Sequence, residues 1–177
     1  ILRCMEKRLL TRRHFLQAVA GLTATAAAGY GYARYLEPNW VDVEQLQLPV
    51  RNLPPALAGR RFAQISDVHL GTFFTPDRLQ DAIEQVNRLN VEWLFLTGDY
   101  ASTRDHRRSS FQRAVAGVIE PLRKAAMPVY AALGNHDLWG DSQAAIDALR
   151  EGGATVLRND GVLLADGLWV GAIDDLW

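Results

Sequence analysis

The sequence lacks the features of a disulfide-stabilised or nucleic-acid-binding protein. Its single cysteine, Cys4, excludes an intramolecular disulfide bond within these 177 residues. The formal net charge is -1, so no nucleic-acid-binding surface is expected. Histidine is also scarce, with four in the chain and none beyond His136. What is present, 49% hydrophobic and 22% charged residues, is typical of a packed globular domain.

Residues 1–36 have the plan of an export signal, in which basic residues precede an uncharged run from residue 15 to residue 33. Arg12 and Arg13 precede Phe15 and Leu16, an arrangement that resembles the twin-arginine signal. We therefore expect export by the twin-arginine machinery to the periplasm or the outer face of the cytoplasmic membrane. The alternative is a membrane anchor, because the run just reaches the roughly 17–25 residues of a spanning helix.

Residues 37–58 are predicted to be a linker that contains one edge strand. Pro38 prevents a helix from continuing, because proline lacks the backbone donor and clashes with the preceding turn. Residues 41–48 alternate apolar and polar side chains roughly as an edge strand would. The segment therefore leads into a domain that we place at residues 59–177.

Strand patterns alternate with helix patterns in this domain. Apolar runs at residues 62–66, 91–97 and 128–133 predict three strands, and amphipathic stripes after each of them predict helices. Alternating strands and helices imply a parallel sheet with the helices outside it. The predicted fold class is therefore α/β.

Helix-capping residues predict where these helices begin, and turn-forming residues predict where the later strands reverse direction. Thr75 with Pro76 should begin the first helix, Ser109 or Ser110 the second, and Asp141 the third. Further on, runs at residues 155–157 and 162–164 flank Asp160-Gly161, a typical hairpin turn, and a third run at residues 168–173 follows Asp166-Gly167. Hairpin strands should therefore be added to the parallel core near the end of the chain.

Potential metal ligands follow each of the three predicted strands. The motifs are Asp67-x-His69, Gly98-Asp99 and Gly134-Asn135-His136-Asp137. Taken singly, each allows another interpretation: an aspartate that bonds within a turn, a surface histidine or a helix cap. Open α/β sheets, however, carry their chemistry beyond the carboxyl ends of the strands. The three loops are therefore expected to converge on one site.

In this order the motifs resemble those of the calcineurin-like metallophosphoesterase superfamily. Three further stretches resemble its bacterial twin-arginine-exported phosphodiesterases, namely Glu37-Pro38-Asn39-Trp40, Gly98-Asp99-Tyr100 and Asp175-Leu176-Trp177. The resemblance implies that residues 59–177 form the N-terminal βαβαβ half of an αββα four-layer sandwich, with terminal hairpin strands.

The resemblance also implies a site with two divalent metal ions, which would be Mn, Fe or Zn. Asp67 and His69 would hold the first ion, Asp99 would bridge both, and Asn135 would bind the second. A hydroxide activated by the two metals would hydrolyse a phosphoester substrate, in particular a phosphodiester.

Two neighbouring residues are implied to be catalytic. His136 would stabilise the phosphoryl oxygens or protonate the leaving group, and Asp137 would orient His136. Other residues are weaker candidates. Trp139 would either line the substrate pocket or belong to the core, and Asp174 and Asp175 would line the site from a strand end.

The sequence departs from the family pattern, because a further histidine and a Gly-His-x-His motif are absent after His136. We therefore expect a truncated chain with an incomplete site and impaired activity. His106 would be a poor substitute ligand, because the arginines beside it repel a dication. Its loop would instead be solvated or would steer anionic substrate.

Two alternatives to a phosphodiesterase follow from these observations. The chain would be a membrane-tethered, non-catalytic remnant or binding protein if the missing histidines are essential. Within the enzymes, it would be a pyrophosphohydrolase that acts on a UDP-sugar lipid, a substrate that a membrane tether would suit.

Overall fold

A computed structural model describes residues 11–37, 40–71, 74–102 and 107–174. The chain divides into two compact units between Leu46 and Gln47. In the first unit, helix α1 spans Arg12–Gly31 and continues as a π-helical turn, Tyr32–Leu36. Thr11 caps α1, because its Oγ1 accepts a hydrogen bond from the backbone N–H of His14 at 3.3 Å. No residue of α1, all of which is described, is buried.

Among the helices of the described residues, none combines the length and the apolar character needed to cross a membrane. The edge strand predicted at residues 41–48 is wrong, since residues 40–50 have no regular secondary structure. Leu46 and Leu48 are 73% and 63% exposed. No described strand pairs with this stretch, and a strand needs the hydrogen bonds of a neighbour.

The second unit is built on a parallel sheet of four strands. These are β1 (Phe62–Ile65), β3 (Trp93–Leu96), β5 (Val129–Ala131) and β6 (Thr155–Val156). Their spatial order is β1-β3-β5-β6, and each neighbouring pair is parallel. The predicted parallel sheet is therefore confirmed. A small second sheet pairs β2 (Leu70–Gly71) with β4 (Ala101–Ser102), also in parallel.

Five helices accompany these strands in the described part of this unit. They are α2 (Pro76–Arg88), α3 (Arg108–Val115), α4 (Ile119–Leu122), α5 (Asn135–Trp139) and α6 (Ser142–Glu151). Short 3-10 turns lie at Pro55–Leu57 and at Ala116–Val118, where the second joins α3 to α4. The core joins Leu94 and Leu96 of the sheet to apolar residues of these helices, such as Ile83 and Leu149.

The predicted start of α2 at Thr75 and Pro76 is confirmed, as is the Asp141 cap of α6, which accepts the N–H of Ala144 at 3.3 Å. The predicted cap of α3 at Ser109 or Ser110 is wrong. Both serines lie inside the first turn of a helix that follows Arg107. The carboxylate of Asp141 bonds Arg108 and Gln112, and this contact secures the helical turn from Arg108 onward.

The hairpin at the end of the unit is formed by β7 (Asp160–Ala165) and β8 (Leu168–Ala172). The predicted turn at Asp160-Gly161 is wrong, because these residues begin β7. The turn is Asp166-Gly167, where Gly167 has a φ of +81° that glycine adopts without strain. The run at residues 155–157 contributes β6 to the parallel sheet instead.

The two faces of the parallel sheet differ in composition. Because side chains alternate along a strand, Leu94 and Leu96 point to one face and Phe95 to the other. On the second face the ring of Phe95 lies 5.2 Å from that of Phe62 and 6.1 Å from that of Tyr130. This row of three aromatic side chains is only partly buried, with Phe62 at 46% exposure.

Candidate metal centre

Three side chains from three loops meet at the carboxyl ends of β1, β3 and β5. His69, Asp99 and His136 each offer a ligand atom, and these atoms lie within 4.8 Å of one another. All three residues are half-buried. The predicted convergence of the three loops is therefore confirmed.

The loops after β1 and β3 are tied to each other by backbone hydrogen bonds. The N–H of Asp67 donates to the carbonyl of Gly98 at 3.2 Å, and the N–H of His69 donates to the carbonyl of Asp99 at 2.8 Å. Asp67, His69 and Asp99 have φ values of +55°, +46° and +59°. Such left-handed backbone is uncommon in residues with side chains and is found at functional sites. These hydrogen bonds hold the left-handed residues in place.

Two glycines allow the loops after β3 and β5 to approach closely. Gly98 has a φ of +104°, and a Cβ there would lie 2.2 Å from the backbone nitrogen of Gly134. A Cβ on Gly134 would in turn lie 2.1 Å from Oδ1 of Asp99. Both motifs therefore need glycine for steric reasons, independently of any ligand.

Around His69 the contacts are those of a polar cluster. Its Nε2 lies 3.7 Å from Oδ2 of Asp99 and 3.6 Å from Oδ1 of Asp67. The imidazole of His136 packs edge-on against His69, with ring centroids 4.9 Å apart. Asp67, whose side chain is 67% exposed, adjoins the three converging ligands through His69 but lies outside their compact group. Its Oδ2 accepts the hydroxyl of Ser66 at 2.6 Å.

Asp137 is fully buried and faces the backbone of the neighbouring loops. Its Oδ2 accepts the N–H groups of Asp99 at 2.8 Å and Gly134 at 3.0 Å, and its Oδ1 accepts that of Tyr100 at 3.0 Å. Burial raises the pKa of Asp137 to about 6, although the three N–H groups act in the opposite direction. Asp137 was predicted to orient the imidazole of His136, but the hydrogen-bond partners of its carboxylate are the backbone N–H groups of Asp99, Tyr100 and Gly134. The carboxylate therefore holds together the loops that carry the candidate ligands.

The other predicted site residues lie as follows. Asn135 is the first residue of α5 and is half-buried beside His136. Trp139 is 62% exposed, which excludes the core position, and its ring lies 5.4 Å from that of His136. Asp174 is paired with Arg158 at 2.6 Å. That ion pair lowers the pKa of Asp174. It also occupies the carboxylate that was predicted to line the site. His106 and Asp175 lie outside the described residues.

Tyr100 is a structural residue of the site that the sequence did not identify. Its buried hydroxyl donates to the carbonyl of Ala132 at 2.6 Å and lies 3.2 Å from that of Leu96. Burial raises the pKa of this phenol well above its ordinary value, so it remains a proton donor. The available signal was a tyrosine directly after the Gly98-Asp99 motif. Tyr100 thereby fastens the end of β3 to the chain that leaves β5.

The donor set fits a divalent transition metal. His69 offers an imidazole nitrogen and Asp99 a carboxylate oxygen, with the imidazole of His136 beside them, and such donors suit Zn, Fe or Mn better than a hard ion such as Ca²⁺. The backbone N–H of His136 donates to Oδ1 of Asp99 at 3.0 Å, which orients that carboxylate and leaves Oδ2 toward His69. Hydrogen-bonded ligating carboxylates of this kind are usual around protein-bound metals.

Comparison with known proteins agrees with this fold and site. Residues 60–171 match the family model described as calcineurin-like phosphoesterase. An uncharacterised metallophosphoesterase of Bacillus subtilis, YkuE, is 35% identical over 94% of this chain and 60% of its own length. Phosphodiesterase YaeI of Escherichia coli is 30% identical over 89% of this chain and 57% of its length.

A more distant relative carries a different activity in its name. The UDP-2,3-diacylglucosamine pyrophosphatase LpxG of Chlamydia muridarum is 30% identical over 70% of this chain and 37% of its own length. No solved structure matches the chain significantly. The parallel α/β sheet, the candidate metal centre at the carboxyl ends of its strands and the family match together define the phosphoesterase class. The chain belongs to the calcineurin-like phosphoesterase family. It spans about 60% of the length of YkuE and of YaeI.

Proposed function

We propose that the protein to which this chain belongs is a metal-dependent phosphodiesterase. The observation that carries the proposal is the convergence of His69, Asp99 and His136, whose ligand atoms lie within 4.8 Å of one another. The similarity to phosphodiesterase YaeI over 89% of the chain supports diester hydrolysis as the reaction.

Each residue has a defined task in this proposal. Asp67, His69, Asp99 and Asn135 would hold two divalent ions, which supply Lewis acidity and a nucleophile at neutral pH. Asp99 is suited to a bridging position, because its Oδ1 is fixed by the N–H of His136 while Oδ2 faces His69. His136 would donate a hydrogen bond to the phosphoryl oxygens as charge develops on them. Asp137 would hold the loops that carry these ligands in position.

The proposal is tested by measuring metal content together with hydrolysis of bis(p-nitrophenyl) phosphate. For the full-length protein to which this chain belongs, we expect about two bound ions per molecule, as in dinuclear sites, and hydrolysis that chelation abolishes. Asp99→Asn should remove both. The matched control is Asp81→Asn, a change of the same kind at an exposed position of α2. A protein that binds no Zn²⁺ or Mn²⁺, or that hydrolyses the ester equally after chelation, would contradict the proposal.

Pyrophosphate cleavage in a UDP-sugar lipid is a second candidate. The similarity to the Chlamydia muridarum pyrophosphatase over 70% of the chain favours it. The two functions separate in a direct comparison of UDP-2,3-diacylglucosamine and bis(p-nitrophenyl) phosphate at equal concentrations. Activity confined to the small diester would eliminate the second candidate.

We also propose that the protein is exported by the twin-arginine route and remains membrane-associated if the signal is not cleaved. Arg12 and Arg13 form the start of α1 and are exposed, which leaves them accessible to an export machinery. A reporter that must fold in the cytoplasm, fused behind residues 1–58, should reach the periplasm. Replacing both arginines by lysine should block export, whereas Arg34→Lys should not. Export of the double variant would contradict the proposal.

A further inference from the structure

Trp139 is an exposed aromatic residue at the edge of the candidate metal centre. It is 62% exposed, while Asp137, two residues earlier in the same short helix, is completely buried. Ligand sites in proteins combine aromatic side chains with a few polar groups, and an exposed indole beside a candidate metal centre fits that pattern. Its position beside His136 therefore makes Trp139 a candidate for substrate contact.

The backbone of α5 fixes Trp139 beside His136. The two residues are three apart in a helix, so they share one face, and their ring centroids are 5.4 Å apart. The N–H of Gly140 closes the turn on the carbonyl of His136 at 2.9 Å. Gly140 itself packs against the ring of Phe111, where a Cβ would lie 2.5 Å from a ring carbon. The end of α5 is thus anchored to α3.

Three rings follow one another from the site to the surface: His69, His136 and the exposed Trp139. The ring centroids of His69 and His136 are 4.9 Å apart, and those of His136 and Trp139 are 5.4 Å apart. If a phosphoryl group is held at His69, Asp99 and His136, a substituent that extends past His136 would reach the indole of Trp139. An indole favours flat, apolar groups, because it offers a broad face for stacking.

We propose that Trp139 is a substrate-contacting residue that selects phosphoesters with a flat, apolar group attached to the phosphoryl centre. The inference rests on the proposed phosphodiesterase function and adds the substrate class to it. Trp139 supplies stacking area only. The charged part of the substrate is bound by the metal centre, so Trp139 acts on affinity rather than on the chemical step.

The test compares two stable ligands, phenylphosphonate and methylphosphonate, which share the charged group and differ in the ring. The Zn²⁺-loaded full-length protein with ¹⁵N-labelled indoles is titrated with each, and the resonance of Trp139 is assigned from Trp139→Phe. Phenylphosphonate should bind about threefold to tenfold more tightly and should shift that resonance. Trp139→Ala should remove the preference, and Trp139→Phe should retain most of it. The matched control is Trp169→Ala, at a tryptophan of β8 that is 68% exposed.

The outcomes separate this inference from the proposed function. Equal affinities for the two phosphonates, or a preference that survives in Trp139→Ala, overturn the role of Trp139 and leave the metal-dependent site intact. Failure of both phosphonates to bind in a Zn²⁺-dependent manner overturns the proposed function and the inference with it. If Trp169→Ala also removes the preference for phenylphosphonate, the preference depends on the integrity of the fold and not on Trp139, and the inference is overturned.

Discussion

The buried carboxylate of Asp137 accepts the backbone N–H of Asp99 at 2.8 Å, so one acid fixes the position of another. Asp99 is the carboxylate among the three converging ligands, and it stands in left-handed backbone with a φ of +59°. The same Asp137 holds Gly134 and Tyr100. This side chain therefore ties the loop after β3 to the loop after β5.

Asp137→Asn should strongly destabilise the second unit. The amide replaces one acceptor oxygen by an NH₂ donor that faces N–H groups, which leaves buried donors unsatisfied. We expect a loss of about 2–4 kcal/mol in the free energy of unfolding, measured by urea denaturation. Asp81→Asn on the exposed face of α2 is the control and should leave the midpoint unchanged. Equal midpoints for the two variants would contradict the role assigned to Asp137.

Gly98→Ala should be far more damaging than Gly153→Ala. Both glycines have positive φ, +104° and +95°, so both substitutions strain the backbone. Only at Gly98 does the new Cβ collide with another loop, 2.2 Å from the nitrogen of Gly134, whereas nothing lies within 4 Å at Gly153. Gly153→Ala should cost about 1–2 kcal/mol, and Gly98→Ala about 3 kcal/mol more. Thermal denaturation of both variants measures the difference, and similar midpoints would rule out the close approach.

The stability of the helix junction at Asp141 should depend on pH. The hydrogen bond from Arg108 lowers the pKa of Asp141 from 3.8 to about 2. A lowered pKa means that its stabilisation is present above about pH 4 and is lost as the pH falls toward 2. Asp141→Asn keeps the helix cap but cannot titrate, so it should lose less stability than wild type between pH 5 and pH 2.5 in urea titrations. If wild type and Asp141→Asn lose the same stability between pH 5 and pH 2.5, the acid sensitivity arises from residues other than Asp141.

At pH 7, Asp141→Ala separates the cap from the ion pair. Alanine removes both contacts, whereas asparagine removes only the charge. The alanine variant should therefore be less stable than the asparagine variant by about 0.5–2 kcal/mol, the usual value of a helix N-cap. If the two variants unfold at the same urea concentration, the cap contributes nothing measurable.

Tyr100→Phe should reduce stability by about 1–2 kcal/mol, because the carbonyl of Ala132 loses its buried donor. The ring itself remains in the core, so the fold should persist. Tyr130→Phe is the matched control, since Tyr130 is only half-buried in the aromatic row. It should change stability by less than about 0.5 kcal/mol. Guanidinium denaturation distinguishes the two, and a larger effect at Tyr130 would reverse the assignment.

Local sequence was sufficient for three strands of the parallel sheet but not for β6 or the hairpin. Apolar runs predicted β1, β3 and β5, because strands that contribute to a buried core are rich in apolar residues. The hairpin was misplaced because the chain contains two Asp-Gly pairs, 160–161 and 166–167. Both can form a tight turn. Which one does so is decided by the pairing of β7 with β8, a contact that neither pair encodes locally.

The candidate metal ligands were likewise more predictable than the hydrogen bonds that hold them in place. His69, Asp99 and His136 follow from residue type and position at strand ends. The hydrogen-bond partners of the Asp137 side chain could not be predicted in this way. Its three bonds, from the N–H groups of Asp99, Gly134 and Tyr100, link residues up to 38 positions apart in the sequence. Such a network becomes visible only when the loops are placed together.

The same network implies an order of events during biogenesis. The three ligands lie on separate loops whose positions depend on the pairing of β1 with β3 and of β3 with β5. In the unfolded chain they are far apart, so no high-affinity ion site precedes the assembled sheet. If the proposed metal centre is correct, metal uptake would therefore be a late step, and the metal supply of the compartment in which the sheet assembles would decide which ion is loaded.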